Sequence, residues 1–254
     1  MDLPMFDLSG QVAIVTGGYS GIGLGIAEGL AQAGADIVIC ARNFEKCQQA
    51  ARDISMKFGV ETMPVRCDVA VSADVDEVVR QTMDKFGKID ILVNNAGITG
   101  AAKWMVDVTD EEWHHTHAVN LDGMFYFCRA VAKHMMKQNR GKIINVTSGA
   151  SFKGMKAASD YNSSKAGALL FTRTIAMELI RYNINVNLIA PGFFATNLNK
   201  ELLDMVKENA KKLIPAGRMG TKEDIKGLAV YLASPASDFV VGAAIVIDGG
   251  TMLK

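Results

Sequence analysis

Short apolar runs alternate with helical patterns along almost the whole chain of 254 residues, and this alternation restricts the possible folds more than any other feature. Apolar runs that predict strands lie at Val12–Val15, Ile37–Ile39, Thr62–Cys67, Ile89–Val93, Lys142–Val146, Ile184–Ile189 and Ala244–Ile247. The patterns that predict helices lie between them, at about Ile22–Gln32, Phe44–Phe58, Asp74–Phe86, Val119–Lys137, Tyr161–Tyr182, 200–212 and 222–233.

Strands that are apolar on both faces are typical of a parallel sheet covered by helices on each side. The chain has no Pro/Gly/Ser-rich linker, no low-complexity segment and no internal repeat. We therefore expect one α/β domain over residues 1–254, a Rossmann-type doubly wound sheet. Ligands of such sheets bind at the carboxyl ends of the strands.

The charge balance limits the class of partner. Lys and Arg together number 27 and so do Asp and Glu, which leaves no excess positive charge to hold a phosphate backbone or an anionic membrane. The sequence thus predicts no nucleic-acid partner. No run approaches the roughly 20 apolar residues that cross a bilayer, and the N-terminus lacks the features of a signal peptide. Four cysteines without a Cys-x-x-Cys pair are interpreted as reduced thiols of a cytoplasmic protein.

A glycine-rich turn separates the first predicted strand from the first predicted helix. Such a turn lets the backbone approach a pyrophosphate, and the following helix N-terminus supplies free N–H groups. A plain strand-to-helix turn is the alternative interpretation, since glycines often serve there. The residues predicted to contact a dinucleotide here are Gly17, Tyr19, Ser20, Gly21, Ile22 and Gly23.

Further candidate cofactor contacts follow the next strands. Enzymes that bind NAD usually carry an acidic residue at the end of the second strand, but Arg42 stands there and is able to pair with a 2′-phosphate. A solvated arginine is the alternative. Asp68 either accepts from an adenine amino group or stabilises a helix N-terminus. Asn94–Gly97, with Ala96 among them, either approaches a ribose or forms an ordinary turn.

Tyr161 and Lys165 lie one helical turn apart and share a helix face. A nearby ammonium favours phenolate and is expected to lower the pKa of the phenol, so that Tyr161 exchanges a proton with a carbonyl oxygen. Ser148 follows the fifth strand, and its hydroxyl is expected to stabilise that oxygen. Asn120 begins the preceding helix and is expected to hold a water. A loop hydroxyl and a helix cap are the plainer interpretations of Ser148 and Asn120.

Taken together, these motifs resemble those of the short-chain dehydrogenase/reductase family over essentially the whole chain. The matching pieces are Thr16–Gly23, Asp68-Val69, Asn94–Gly97, Asn120, Ser148, Tyr161, Lys165, Pro191-Gly192 and Thr196. The resemblance implies a catalytic tetrad of Asn120, Ser148, Tyr161 and Lys165. It also implies cofactor contacts from Val69, from Tyr161 and Lys165, and from Pro191, Gly192, Phe194 and Thr196. Finally, it implies strand order 3-2-1-4-5-6-7 and a homotetramer built on the two long helices.

The family resemblance points to an oxidoreductase that interconverts a secondary alcohol and a ketone. Arg42 matches the members that prefer NADP(H), although the glycine turn lacks the basic residue that some of them carry, so NAD(H) remains possible. Two branches are similar: dehydrogenases of sugar acids and polyols, and 3-oxoacyl-carrier-protein reductases. A small substrate such as a sugar acid, polyol or cyclic ketone is favoured, because Tyr126 and Tyr182 stand where the carrier-protein reductases have docking arginines, although Arg129 and Arg181 lie nearby. A non-catalytic dinucleotide-binding regulator is the alternative of another class.

Two further segments have open interpretations. The segment at about 193–215 begins aromatic and becomes amphipathic and basic, which predicts a substrate lid or an ordinary surface helix. His114, His115 and His117 suggest a metal site, but no carboxylate or cysteine partner has suitable spacing, and no metal is predicted.

Overall fold

The computed structural model describes residues 3–195 and 209–253, whose strands form one parallel seven-stranded sheet. The strands are β1 (Val12–Thr16), β2 (Asp36–Ala41), β3 (Thr62–Arg66), β4 (Ile91–Asn94), β5 (Gly141–Val146), β6 (Ile184–Pro191) and β7 (Ala244–Ile247). Their order is β3-β2-β1-β4-β5-β6-β7. This confirms the predicted doubly wound sheet and the strand order that the family resemblance implied.

Helices cover both faces of this sheet. They are α1 (Gly21–Gln32), α2 (Phe44–Phe58), α3 (Ser72–Phe86), α4 (Asp110–His117), α5 (Gly123–Gln138), α6 (Ser159–Leu179), α7 (Ala210–Leu213) and α8 (Lys222–Ala233). One apolar core contains Leu92 and Phe127, and a second contains Ile37 and Leu30. Because apolar side chains leave both faces of the strands, the sheet is buried on each side.

Local sequence signals account for the helix ends that were predicted well. α2 begins after Asn43, whose Oδ1 accepts the backbone N–H of Lys46 at 3.0 Å, and ends at Gly59, where φ is 71°. A short polar side chain before a helix and a left-handed glycine after it are the usual caps. The predicted bounds of this helix are therefore confirmed.

The predicted helix Val119–Lys137 is wrong at its start. Helix α4 precedes it, a π-helical turn spans Ala118–Asp122, and α5 follows. A capping box starts α4, in which Thr109 and Glu112 each accept the other's backbone N–H, at 3.2 and 3.0 Å. This Thr-x-x-Glu pattern was visible in the sequence, but the segment carries few apolar residues to mark a helix.

A chain of buried amides fixes α6 against the sheet. Asn94 on β4 donates from Nδ2 to Oδ1 of Asn145 on β5 at 2.9 Å, and Asn145 donates to Oγ1 of Thr172 on α6 at 2.9 Å. Thr172 in turn donates to the carbonyl of Ala168 at 2.7 Å. Buried hydrogen bonds of this kind favour one packing arrangement. The network therefore ties the middle of α6 to the carboxyl ends of β4 and β5.

Two general observations complete the fold. The four cysteines Cys40, Cys47, Cys67 and Cys128 are buried free thiols. Among residues 3–195 and 209–253, no helix has the length and apolar character needed to cross a membrane.

Candidate active site

The turn after β1 forms a close-packed cradle at the start of α1. Gly17 and Gly21 have positive φ values of 65° and 54°, which glycine adopts without a steric penalty. A Cβ at Gly23 would lie 2.4 Å from Nδ2 of Asn95 and 2.5 Å from the Gly17 carbonyl oxygen, so only glycine fits there. Ser20, the N-cap of α1, makes no capping hydrogen bond from its side chain to the described chain. The N–H groups of the first turn of α1 thus remain available to an anion.

Thr16 and Asn95 join this turn to the loop after β4. Oγ1 of Thr16 accepts the backbone N–H groups of Asn95 and Ala96, both at 2.9 Å, and Nδ2 of Asn95 donates to the Thr16 carbonyl at 2.9 Å. The N–H of Gly17 also donates to the carbonyl of Cys40 at the end of β2, at 2.8 Å. Three strand ends therefore meet at the glycine turn, whose conformation is fixed by these hydrogen bonds.

Cations lie at the end of β2, beside the glycine turn. Arg42 is exposed directly after β2. The structure adds Lys46, whose Nζ lies 5.9 Å from the ring centroid of Tyr19 in the glycine turn. Lys46 was not among the predicted cofactor contacts, although a lysine in the first turn of the following helix was a visible signal. These cations fit an anionic group bound beyond the end of β2.

Two of the predicted cofactor residues turn their side chains to other partners. Oδ1 of Asp68 accepts the N–H of Ala70 at 3.1 Å and closes a local turn. The Asn94 side chain is 4% exposed and belongs to the buried amide chain with Asn145. Its Nδ2 is thus committed to the protein interior, while its Oδ1 has no partner among the described residues.

The remaining predicted cofactor contacts divide between described and undescribed residues. Pro191 ends β6, and the N–H of Gly192 donates to the carbonyl of Ile247 at 3.0 Å. Val69 and Phe194 are buried, at 8% and 6% exposed. Thr196 and most of the predicted lid at about 193–215 lie outside the described residues.

The first turns of α6 bring Tyr161 and Lys165 together, as the spacing predicted. Nζ of Lys165 lies 5.8 Å from the centroid of the Tyr161 ring, and Lys165 is only 4% exposed. The Tyr161 hydroxyl shares a hydrogen bond with Ser148, which follows β5. The phenol, the ammonium and the serine hydroxyl thus meet at the carboxyl end of the sheet.

Burial dominates the electrostatics of this group. It raises the pKa of the Tyr161 phenol above its ordinary value, and the hydrogen bond with Ser148 only partly offsets this. The expectation that Lys165 lowers the pKa of the phenol below its ordinary value is therefore wrong. Burial also lowers the pKa of the Lys165 ammonium from 10.5 to about 8. At neutral pH the phenol is protonated and ready to donate.

Asn120 lies in the π-helical turn between α4 and α5. Its Oδ1 accepts the N–H of Ile98 at 2.8 Å, and its Nδ2 donates to the Ile98 carbonyl at 3.0 Å and to Oγ of Ser164 at 3.1 Å. A Cβ at Gly97 would lie 3.0 Å from Oδ1 of Asn120 and 3.1 Å from Nζ of Lys165. Single π turns often occur at functional sites, and here the turn brings Asn120 beside Lys165.

The residues on either side of Tyr161 hold the two loops that flank the site. Asp160 is 1% exposed, and its Oδ2 accepts the hydroxyl of Thr116 at 2.7 Å and the N–H of Ala101 at 2.9 Å. Asn162 donates from Nδ2 to two carbonyls in the loop after β5. Neither residue was a candidate in the sequence analysis, because its partners are distant in sequence.

The histidines of α4 make contacts of another kind. Nδ1 of His117 lies 2.9 Å from the carbonyl of Trp113, and its Nε2 lies 3.1 Å from Oγ of Ser163. Within the part of the chain that the structure describes, no group of three or more His, Cys, Asp or Glu side chains is placed to hold a metal ion.

Known proteins are similar to this chain over nearly its whole length. A family model described as Enoyl-(Acyl carrier protein) reductase matches residues 17–252. The chain is 39% identical to 3-oxoacyl-[acyl-carrier-protein] reductase FabG of Chlamydia pneumoniae, over 96% of this chain and 97% of the relative.

Solved structures extend the comparison. A short-chain type dehydrogenase/reductase from Mycobacterium marinum superposes with a TM-score of 0.93 at 37% identity, over 98% of each chain. A gluconate 5-dehydrogenase from Burkholderia cenocepacia, solved with NADP and tartrate, gives a TM-score of 0.93 at 39% identity, also over 98% of each chain. Both the family model and these relatives cover nearly the whole chain. The protein therefore belongs to the short-chain dehydrogenase/reductase family of oxidoreductases that act on CH–OH groups.

Proposed function

We propose that this protein is an NADP(H)-dependent oxidoreductase that interconverts a secondary alcohol and a ketone, with Tyr161 as the acid/base. The observation that carries the proposal is the convergence of the Tyr161 hydroxyl, Ser148 and the Lys165 ammonium at the carboxyl end of the sheet. A non-catalytic dinucleotide-binding protein would not need this group.

Each polar group has a distinct role in the proposed reduction. When bound, NADPH supplies the hydride that reaches the carbonyl carbon. The Tyr161 hydroxyl gives its proton to the carbonyl oxygen, and Ser148 donates a hydrogen bond to the same oxygen as its charge grows. The Lys165 ammonium stabilises the phenolate that remains and donates to the nicotinamide ribose. Asn120 fixes the Ile98 backbone beside Lys165.

The cofactor preference rests on the end of β2. Arg42 is exposed there between Ala41 and Asn43, and Lys46 approaches the Tyr19 ring from α2. A guanidinium pairs bidentately with a phosphate, whereas NAD recognition favours an acidic residue at this position. The gluconate 5-dehydrogenase of similar fold was solved with NADP, which supports the same preference. NAD(H) is proposed as the weaker cofactor.

For the substrate we propose a small metabolite, within the range of a sugar acid, a polyol or a cyclic ketone. Large apolar side chains are exposed on the loops after β4 and β5: Trp104 at 64%, Phe152 at 42% and Met155 at 49%. These loops are the ones that Asp160 and Asn162 tie to the turn carrying Tyr161. Exposed apolar side chains on these two loops favour a cyclic ketone within that range.

Reduction of a 3-oxoacyl group on a carrier protein is the second candidate, because FabG proteins are among the relatives. The guanidinium of Arg129 lies 4.9 Å from the Phe125 ring and donates to Oγ of Ser72 at 2.9 Å, and that of Arg181 lies 4.8 Å from the ring of Tyr182. Both guanidinia stay exposed and charged. The preference for the small substrate therefore rests on Tyr126 and Tyr182, which stand where the carrier-protein reductases have docking arginines.

Assembly and location complete the proposal. We propose a homotetramer built on α5 and α6, where Phe125, Leu170 and Met177 are 40%, 65% and 80% exposed. Exposed apolar residues on neighbouring helices are typical of an interface. We also propose a cytoplasmic location, which the four free thiols support.

The experiment is to follow oxidation of NADPH and NADH by the purified protein with cyclic diketones, keto sugar acids, steroids and 3-oxoacyl thioesters. We expect turnover with NADPH and at least one small ketone. Tight NADPH binding without turnover on any ketone would instead support a regulator. Turnover restricted to carrier-bound 3-oxoacyl groups would establish the second candidate.

A further inference from the structure

The position of Ser148 depends on a short loop. Ser148 precedes a 3₁₀ turn at Gly149–Ser151, and its Oγ accepts the N–H of Ala150 at 3.2 Å. The chain then runs through exposed residues from Phe152 to Lys156. An exposed loop of this kind has few contacts of its own, so the ties between it and the protein body determine where the Ser148 hydroxyl lies.

Asn162 supplies the ties that span this loop. Its Nδ2 donates to the carbonyl of Ala150 at 2.9 Å and to the carbonyl of Lys153 at 2.8 Å. Both partners are carbonyl oxygens, which accept but cannot donate, and this determines that the amide nitrogen faces them. The Asn162 side chain therefore binds two carbonyls of the loop that follows Ser148.

The location of Asn162 gives these bonds a functional meaning. It is the residue after Tyr161 on α6, so it fixes the loop to the same helical turn that carries the phenol. A second tie, from Oγ of Ser151 to the Lys165 carbonyl at 2.8 Å, lies one turn further along α6. The hydrogen bond between Ser148 and Tyr161 consequently joins two groups that these ties hold together, and Asn162 supplies the ties nearest to Tyr161.

We infer that Asn162 is a positioning residue, which holds Ser148 against the Tyr161 hydroxyl by binding the Ala150 and Lys153 carbonyls. This inference rests on the proposed function, because Ser148 and Tyr161 are the pair that it positions. Asn162 acts through Ser148 and has no contact with the reacting atoms.

The test uses Asn162→Asp, which keeps the size of the side chain but places an acceptor against two carbonyls. We expect kcat for ketone reduction to fall about 10-fold or more, since small misplacements of a reacting group are costly. The Kd of NADPH, measured by fluorescence, should stay within about two-fold, because the glycine turn is untouched. In the pH profile of alcohol oxidation, measured on Asn162→Ala so that no new charge stands beside Tyr161, the limb that reports Tyr161 should move to higher pH, because the hydrogen bond from Ser148 lowers the pKa of the phenol.

A matched control comes from the next residue. Oγ of Ser163 lies 3.1 Å from Nε2 of His117 on α4 and donates to the Asp160 carbonyl at 2.9 Å, so it does not touch the Ser148 loop. Ser163→Ala should leave kcat and the pH profile within about two-fold of the parent. Equal losses in Ser163→Ala and Asn162→Asp would overturn the inference, because they would show a general sensitivity of this helical turn.

A double-mutant cycle separates positioning from other effects. If Asn162 acts through Ser148, then Asn162→Asp causes no further loss of kcat in a Ser148→Ala background. Fully additive losses would overturn the inference. Asn162→Ala, which removes the donors without adding repulsion, is carried through the same cycle in case the aspartate variant does not fold.

The two proposals fail in different ways. If Ser148→Ala and Tyr161→Phe both retain full activity, the proposed function fails. If those variants lose activity while Asn162→Asp and Asn162→Ala keep the kcat and pH profile of the parent, only the positioning role fails.

Discussion

Nζ of Lys165 lies 5.8 Å from the centroid of the Tyr161 ring, one turn further along α6, and the lysine is 4% exposed. Burying an ammonium at this distance from a phenol is costly for the fold, because few contacts replace the lost water. The same burial serves an acid/base pair, because it keeps the ammonium close to the phenolate with little water between them. The lowered pKa of Lys165, about 8, is the measurable sign of it.

Lys165→Met should therefore stabilise the fold while abolishing turnover. Lowering the pKa of the ammonium from 10.5 to about 8 corresponds to a loss of about 3 kcal/mol in the free energy of unfolding. An uncharged methionine at this position carries no such loss. The difference in unfolding free energy between the variant and the parent should be largest below pH 8, where Lys165 is charged in both the native and the unfolded state. It should shrink between pH 8 and 10.5, where the native lysine has lost its proton and the unfolded one has not. Urea unfolding at pH 7 and at pH 9.5 measures it, and a less stable variant at pH 7 would contradict the account.

Gly97→Ala should displace the Lys165 ammonium without unfolding the protein. The added methyl group would lie 3.0 Å from Oδ1 of Asn120 and 3.1 Å from Nζ of Lys165, which is closer than ordinary contact. Because Asn120 is held by both backbone groups of Ile98, the lysine has to move by a few tenths of an ångström. We expect kcat to fall by about 10-fold.

Gly227→Ala, on the exposed side of α8, is the matched control for that substitution, since a Cβ at Gly227 meets no atom within 4 Å. Its kcat should match that of the parent. Comparable losses in the two variants would show that glycine content, and not the contact with Lys165, matters.

Asp160→Asn should destabilise the fold in a pH-dependent way. Burial raises the pKa of this carboxyl, but hydrogen bonds from Thr116 and from the N–H groups of Ala101 and Tyr161 lower it below its ordinary value of 3.8. A carboxyl with a lowered pKa contributes stability above pH 3.8 and loses it as the pH falls further. We expect the free energy of unfolding to fall by about 1–3 kcal/mol at pH 7. The difference from the parent should become smaller in acid, and urea unfolding measures it at each pH. Asp53→Asn, on the exposed face of α2, is the control, and an equal effect there would refute the role of the buried carboxylate.

Arg42→Ser should change cofactor choice. Loss of a charged hydrogen bond to a 2′-phosphate, about 1.5–3 kcal/mol, should weaken NADPH binding by about 10- to 100-fold and leave NADH binding unchanged. Fluorescence titration with each nucleotide measures both constants. Arg52→Ser removes an exposed guanidinium that pairs with Gln49 on the same helix, and it should alter neither constant. An equal loss of affinity for both nucleotides in Arg42→Ser would contradict a phosphate-specific role.

The sheet and the Tyr161–Lys165 pair were predictable because their signals are local. Apolar runs define the strands, and four-residue spacing defines a helix face. The roles of Asp160 and Asn162 were not predictable, because Ala101 and Ala150 come near them only after the sheet has formed. The raised pKa of Tyr161 was missed for the same reason, since burial is a property of the packed protein.

The π-helical turn at Ala118–Asp122 had no sequence signal either. It differs from an α-helix by a single hydrogen-bond register, and the residues of the turn form an α-helix equally well. Its consequence, the placement of Asn120 against Ile98, depends on the loop after β4.

The most direct measurement compares Tyr161→Phe with the parent in two assays, NADPH binding and ketone reduction. The substitution removes only the hydroxyl that gives its proton to the carbonyl oxygen. We predict an NADPH Kd within about two-fold of the parent and a fall in kcat of about 10²- to 10⁴-fold. A variant that binds NADPH and reduces the ketone at the parent rate would contradict the assignment of Tyr161 as the acid/base.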